Sequence, residues 1–169
     1  VVVLFMTLFA WVNINNLQSL LVNNTVRDLD NLASTIIRMT RHQMLLDNRP
    51  LVYQMINEVA NRPGVDRIRM INREGIIVHS TVADEVGKPL DQKAVRCTLC
   101  HKPGRTLSHL PLQERNRFFT LPGGKQVMGF AKSVHNESSC STAACHAHAG
   151  SQKVLGVVDI IVSLDLLKA

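Results

Sequence analysis

Aromatic side chains are scarce in this sequence. Phe, Trp and Tyr make up 4% of the 169 residues, with a single Trp and a single Tyr. Since 46% of the residues are hydrophobic, the chain has enough apolar surface to bury a core. That core must depend on Val, Ile, Leu and Met, and a large bound ring system would help to fill it.

Runs of basic residues are also missing. The formal net charge is +6 and the isoelectric point is near 9.5, but Lys and Arg are scattered in ones and twos without interleaved aromatic residues. Nucleic-acid binding favours clustered basic residues, so we exclude nucleic acid as a partner. No Ser/His/Asp arrangement, glycine-rich phosphate loop or H-E-x-x-H motif occurs, and we therefore expect no enzymatic activity.

The N-terminal segment is strongly apolar. The first twelve residues, VVVLFMTLFAWV, contain one polar side chain, Thr7, and include Trp11, a residue type that favours the membrane interface. Twelve residues are too few to span a bilayer, which takes about 20. Because the chain begins with Val1, we expect sequence upstream of it and interpret residues 1–16 as the end of a transmembrane or signal-anchor helix. A buried core helix is the alternative.

Residues 17–62 are predicted to form membrane-proximal helices. From residue 17 to about 47 apolar side chains recur at steps of three and four without an internal Pro or Gly, which indicates one long amphipathic helix. This stripe packs either on its own domain or against a second copy of the chain, so a homo-oligomer is one expectation. DNRP, residues 47–50, is predicted to break the helix before a shorter one over residues 51–60.

Residues 63–169 change to a period of two. Val65–Asn72 alternates apolar and polar residues, and a turn at Gly75 leads to a returning strand over residues 76–80. Three later strands are predicted over residues 117–121, 125–134 and 153–164, with a PGG turn between the first two of these. The long stretch between the hairpin and these strands, residues 81–113, is irregular and needs something to order it. We interpret Asp84, Glu85 and Asp91 as solvated turn residues of this stretch.

Two cysteine clusters carry the chemistry. Cys97, Cys100 and His101 form C-x-x-C-H, in which two thiols add to the vinyl groups of haem and the following His binds the iron. The segment CSTAACH repeats this order with four residues between the cysteines. Together they predict two covalently bound haem c groups, one in each of two loops. The second set of attachment residues is Cys140, Cys145 and His146.

Other uses of the four cysteines remain open. One tetrahedral zinc ion, two disulfides, or one haem with one disulfide would each satisfy the cysteines. Four zinc-bound thiolates, however, have no use for a His directly after both pairs. We therefore favour haem at both clusters.

The remaining histidines are candidates for the opposite faces of the two haems. His148 lies two residues after His146, and two residues span at most about 7 Å, so it cannot cap its own haem and is predicted to cap the haem on Cys97 and Cys100. Met70 and Met128 are sulfur alternatives, and an open sixth position is another. For the second haem we prefer His109, His79 and His135 over His42.

Several of these segments together resemble a known family. They are the membrane-proximal helix, the hairpin VDRIRMINREGIIVHSTVADEVGKPLD, the C-x-x-C-H motif and the run NESSCSTAACHAHAGSQKVLGVVDIIVSLDLLK. The combination is similar to the periplasmic sensor region of haem-c-containing bacterial histidine kinases and chemotaxis receptors. The resemblance implies an α+β fold of the PAS/Cache type, with a long N-terminal helix followed by a central antiparallel sheet. Kinase, HAMP and methyl-accepting segments are not present, and the sequence stops at LDLLKA, where a second membrane helix is expected to begin.

The resemblance implies one function, and the absence of kinase, HAMP and methyl-accepting segments leaves a second one open. The first is a membrane-anchored dihaem c-type cytochrome domain that senses redox state or a ligand, held at the inner membrane with the domain on the periplasmic or extracellular side. Its expected partners are the membrane, a second copy of the chain and a downstream kinase or receptor module. The alternative is a dihaem electron-transfer subunit of a membrane complex or of an extracellular cytochrome filament, with a redox partner.

Overall fold

A computed structural model describes residues 1–90, 111–142 and 148–167 of the chain. It has an α+β architecture in which two long helices pack on one face of a five-stranded antiparallel sheet. The helices and strands of the described residues are α1 (Val2–Leu45), α2 (Arg49–Ala60), β1 (Val65–Asn72), β2 (Ile77–Ser80), β3 (Asn116–Thr120), β4 (Gln126–His135), the single turn α3 (Ser138–Ser141) and β5 (Val154–Ser163).

Helix α1 is longer than the predicted helix because it continues through the apolar N-terminal segment. It runs without a break across the predicted boundary between residues 16 and 17. Its side chains are exposed as far as Leu21, and burial on the sheet begins in the next turns, with Val26, Leu29, Ala33 and Ile36. Among the described residues no helix is both long enough and apolar enough to cross a membrane.

The break between the two helices lies where the DNRP sequence predicts it. Helix α1 ends at Leu45, and Asp47 then adopts a positive φ of 52°. Asn48 precedes α2 and its side chain accepts a hydrogen bond from the Leu51 amide at 3.5 Å, with Pro50 in the first turn of the helix. Pro is tolerated there because the first amides of a helix have no partner within the helix.

The sheet has the strand order β2-β1-β5-β4-β3, with every neighbouring pair antiparallel. All five strands lie within one residue of the bounds that the alternating pattern predicts. The turns are also as expected, since Gly75 in the β1–β2 turn has a φ of 79° and Gly124 in the β3–β4 turn has a φ of 84°. These values lie in the left-handed region, which glycine occupies without steric cost.

The hydrophobic core lies between the sheet and the two helices. Phe130 at the centre of β4 is completely buried and is the largest of the fully buried side chains. An ion pair also ties α1 to the sheet, since Lys132 Nζ lies 2.7 Å from both Asp30 Oδ1 and Ser34 Oγ. The core side chains from the sheet are Ile68, Met128, Phe130, Val158 and Ile160, and those from the helices are Val26, Leu29, Ala33, Ile36, Val52, Ile56 and Val59.

The opposite face of the sheet carries a buried ionic network. Asp159 on β5 is 2% exposed and lies between Arg117 on β3, at 2.5 Å, and Arg69 on β1, at 3.5 Å. Arg69 also pairs with Glu85, which in turn lies 2.6 Å from Arg67. The network therefore joins β1, β3 and β5 to the turn that comes after β2.

The interpretation of Glu85 as a solvated turn residue is wrong in part. Glu85 does lie in a short 3₁₀ turn, but its side chain is only 18% exposed and accepts hydrogen bonds from Arg69, Arg67 and Ser80. Burial by itself would raise the pKa of Glu85, but the hydrogen bond and charge of Arg69, with Ser80 and Arg67, outweigh burial and lower the pKa to about 2. Arg67 and Arg69 share one face of β1, but nothing local in the sequence indicates that Glu85 is their partner.

Glu85 should make the protein sensitive to acid. Because its pKa is lower in the folded state than its ordinary 4.5, its contribution is fully present above pH 4.5 and is lost as the pH falls toward 2. We expect Glu85→Gln to remove about 2 kcal/mol from the free energy of unfolding at pH 7, after allowance for solvent screening. Urea unfolding from pH 7 down to pH 3 measures this, and the stability difference between wild type and variant should shrink as the pH falls.

Glu74→Gln, at an exposed position of the β1–β2 turn, is the control. A difference that stays constant with pH would contradict the prediction.

Candidate functional site

A cavity of about 330 Å³ lies at one end of the sheet, between the C-terminal part of α1, the start of α2 and the segment after β4. This volume is within the range of small-molecule and cofactor pockets, about 300–1,000 Å³. Most of the wall is apolar. The apolar side chains come from α1, α2 and the sheet: Ile37, Met44, Leu45, Val52, Met70, Ile71, Val78, Val134, Leu155 and Val157.

Cys140, the first residue of the second cysteine cluster, borders this cavity. Cys140, in the turn α3, and His148, at the other end of the same segment, both line it. The two are held together at their backbones, since the His148 amide donates to the Cys140 carbonyl at 3.2 Å. Asn136 holds the two ends of this segment together, because its side-chain amide donates a hydrogen bond to the Ala149 carbonyl at 3.0 Å. The thiol of Cys140, half-buried and free, therefore lies at the edge of an apolar cavity.

Several predicted site residues fall outside the described part of the chain. They are the whole first cluster, Cys97, Cys100 and His101, together with His109 and the second half of the second cluster, Cys145 and His146. The attachment of haem at either cluster stays a prediction. The cross-ligation of the first haem by His148 stays a prediction as well, because the first cluster lies outside the described residues.

His79 lies behind the cavity wall. It is 8% exposed on β2, and its ring stacks on the ring of Tyr53 with a centroid distance of 4.2 Å and an interplanar angle of 4°. Tyr53 lines the cavity. Burial lowers the pKa of His79, which favours the neutral imidazole, and its Nε2 atom has no hydrogen-bond partner among the described residues. A neutral imidazole is the form that binds a metal.

His135 and His148 line the cavity directly. His135 is exposed at the end of β4, and its Nε2 atom lies 2.9 Å from Ser133 Oγ. His148 is half-buried. His135 therefore has more direct access to a group in the cavity than His79 has, whereas the prediction for His148 concerns the haem on Cys97 and Cys100. Of the sulfur alternatives, Met70 also lines the cavity, whereas Met128 is fully buried in the core.

Charged side chains lie where the cavity opens to solvent, which we call its mouth. Asp47 and Arg49 are exposed and pair with each other at 3.0 Å. Arg41, from the last part of α1, lines the cavity and pairs with Glu137, the residue immediately before α3. Cations at a cavity edge suit a ligand with anionic groups, and the carboxylates of a porphyrin are such groups.

The sequence reasoning missed Arg41, Met44 and Tyr53 as cavity residues. Met44 falls on the apolar stripe that the sequence predicts for α1, but periodicity does not tell which part of a stripe faces a cavity and which part faces the core. Tyr53 is the one Tyr in the chain and Arg41 the partner of an acidic residue 96 positions away. The scarcity of aromatic residues could have drawn attention to Tyr53, while nothing local in the sequence indicates the contact of Arg41.

The residues that line the cavity are of the kinds that a covalently attached haem would need. A thiol, imidazoles, thioethers and guanidinium groups border a space with an apolar wall, as a porphyrin with iron and carboxylates requires. A zinc ion or a disulfide would need no apolar cavity of this size. Within the described residues, no three His, Cys, Asp or Glu side chains are grouped so as to hold a metal ion by themselves.

Comparisons with known proteins give a structural likeness but no sequence match. No protein-family model matches the chain, and no curated protein matches it. Among solved structures, the periplasmic domain of RsbU from Chlamydia trachomatis is similar with a TM-score of 0.41 and 13% sequence identity. The match covers 92% of the present chain and 58% of the RsbU chain. The present chain therefore spans less than two thirds of the length of the RsbU chain.

Proposed function

We propose that this chain is a dihaem c-type cytochrome domain that acts as a redox or ligand sensor on the periplasmic side of the inner membrane. The observation that carries the proposal is the apolar cavity bordered by Cys140 and His148. It lies beside the segment where the sequence pattern predicts the second haem. The attachment residues would be Cys140, Cys145 and His146 for this haem, and Cys97, Cys100 and His101 for the other.

The position of the cavity favours sensing. Its wall includes Ile37, Arg41 and Met44, which belong to the same helix, α1, that carries the exposed apolar N-terminal segment. A change in a group bound in the cavity would therefore act on a helix that leads toward the proposed membrane anchor. Such a change transmits a signal if the two states of the cofactor differ in their free energy of contact with that helix.

Bound haem supplies one-electron redox chemistry and an iron that accepts axial ligands. The chain contributes the surroundings. The apolar side chains of Ile37, Val52 and Val134 would keep water away from the bound group. Arg41 would place a positive charge beside that group. His135 offers an imidazole nitrogen to the haem at this cluster, whereas His148 lies too close in the sequence to His146 to bind the iron of the same haem.

Electron transfer is the second candidate function. Asp47, Arg49 and His135 line the cavity and are exposed, so the cavity opens to solvent. A cofactor edge at this opening would be accessible to a redox partner. An electron carrier needs this access but does not need the contact with α1.

Counting the attached haems tests the proposal. We expect the purified protein to give a pyridine haemochrome spectrum and an intact mass that corresponds to the polypeptide plus two haems. Cys97→Ala and Cys140→Ala should each reduce the haem count, because each removes one of the two thioether bonds at a cluster. Ser139→Ala, beside Cys140, is the matched control and should retain both haems. A mass equal to that of the bare polypeptide, or zinc detected by metal analysis, would overturn the proposal.

A further inference from the structure

An ion pair connects helix α1 to the segment that carries the second cysteine cluster. Arg41 of α1 bonds to Glu137, which lies three residues before Cys140. The Glu137 carbonyl also accepts the Cys140 amide at 2.9 Å. Any movement of α1 relative to this turn must therefore stretch or break the Arg41–Glu137 pair. A role for this pair at the cavity rests on the proposed function, because it concerns the haem expected there.

This pair contributes little to folding. The side chains of Arg41 and Glu137 are 34% and 46% exposed, and ion pairs in such positions stabilise the folded state only weakly because solvent screens them. The pair lies beside the cavity, however, and its charges can therefore act on a group bound there. Arg41 lines the cavity, whereas Glu137 does not. The Arg41 side chain therefore borders the space that a bound group would fill, and the Glu137 side chain does not.

We propose that the Arg41–Glu137 pair couples the oxidation state of the haem at the second cluster to the position of helix α1. Reduction adds one electron, taken from an external one-electron donor, to ferric iron and lowers the charge in the cavity by one. A guanidinium at the cavity edge favours the reduced state, and Glu137 weakens this effect by partly neutralising Arg41. Reduction therefore draws Arg41 toward the cavity and loosens its bond to Glu137, and oxidation strengthens that bond.

The coupling acts in both directions. If the oxidation state changes the strength of the bond between α1 and the turn, a displacement of α1 must change the midpoint potential by the same coupling free energy. The other charged pair at the mouth, Asp47 with Arg49, cannot serve in this way. Both of its members lie at the α1–α2 junction, two residues apart, and their side chains are 48% and 72% exposed.

Redox titration of the full chain with both haems tests the proposal through the sign of the shifts. Glu137→Gln leaves the Arg41 charge unneutralised and should raise one midpoint potential. Arg41→Gln leaves a carboxylate and should lower the same potential, and the double variant should return close to wild type. Arg38→Gln, one turn earlier on α1 at an exposed position, is the matched control and should leave both potentials unchanged.

Exchanging the two charged residues distinguishes an electrostatic effect on the haem from a purely structural role of the salt bridge. The variant Arg41→Glu/Glu137→Arg keeps a salt bridge but places the negative charge at the cavity edge, so the potential should fall. If the pair only holds the turn in place, the exchanged variant should match wild type, and that result would overturn the inference. Equal signs for the two single variants, or no shift, would overturn it as well. Absence of haem at the second cluster in the wild type would instead overturn the proposed function, and the coupling with it.

Hydrogen exchange provides a readout that does not depend on the potential. Amides in the last turns of α1 should exchange faster in the reduced wild-type protein than in the oxidised one, because reduction loosens the Arg41–Glu137 bond. The Arg41→Gln/Glu137→Gln variant should lose this difference. An equal difference in wild type and variant would contradict the proposed coupling.

Discussion

Asp159→Asn is expected to lower the free energy of unfolding by about 3–5 kcal/mol. Asp159 is 2% exposed and is the carboxylate between two buried arginines, Arg69 and Arg117. Removal of one partner from a buried ion pair leaves an uncompensated charge in a medium that solvates it poorly, and losses of this size are typical. Glu85 still neutralises Arg69 in the variant, so Arg117 carries most of the cost.

Urea unfolding followed by circular dichroism measures this loss. Asp84→Asn, an exposed position in the turn beside Glu85, is the matched control and should change stability by less than about 0.5 kcal/mol. The double variant Asp159→Asn/Arg117→Gln should recover part of the loss, because it removes the orphaned charge together with its former partner. A loss below about 1 kcal/mol for Asp159→Asn would show that the network contributes little to the folded state.

Phe130→Ala is expected to cost about 3–5 kcal/mol, through lost apolar burial and the cavity left behind. Phe130 is fully buried at the centre of β4, between the flanking strands β3 and β5, on the face that packs against the helices. The chain has few aromatic residues with which to compensate for the lost ring.

The neighbouring strand offers a control with the same substitution. Phe118 on β3 is 50% exposed, so Phe118→Ala removes an equal side-chain volume from a position in contact with solvent. We expect that variant to lose less than about 1.5 kcal/mol in the same unfolding experiment. Equal losses for the two variants would mean that Phe130 does not occupy a packed position in the core.

The sequence predicted the strands better than the site. The bounds of β1 agree with the alternating pattern residue for residue, because a strand with one face on a core repeats its apolar side chains with a period of two. Likewise, Gly75 and Gly124 marked their turns correctly, since both need a positive φ. Such features depend on neighbouring residues and can be recognised locally.

The cavity could not be predicted in this way. It brings together Met44 of α1, Tyr53 of α2, Met70 of β1 and Cys140 of the segment after β4. Their proximity depends on how the helices cross the sheet, which no short stretch of sequence specifies. Gly156 is another case, because a Cβ atom there would lie 2.5 Å from the Ile71 carbonyl oxygen of the neighbouring strand. From the sequence this glycine was one residue within a predicted strand.

The ionic network shows the limit of an interpretation based on polarity. Arg67 and Arg69 alternate with apolar residues, and the simple expectation places such side chains in solvent. Instead Arg69 is 2% exposed, because Glu85 and Asp159 compensate its charge from other elements. Burial of a charge depends on partners that are distant in the sequence, so the pattern of one strand cannot reveal it.

Helix α1 contains no Gly or Pro over its 44 residues, so nothing in its sequence favours a kink. At 1.5 Å per residue, the exposed part up to Leu21 extends about 30 Å from the part packed on the sheet. The C-terminal part of α1 is held against the sheet, and the N-terminal part moves with it as one rigid rod. A slight tilt imposed near Arg41 becomes a much larger sideways displacement at Val2, so small rearrangements around the cavity would be amplified at the far tip.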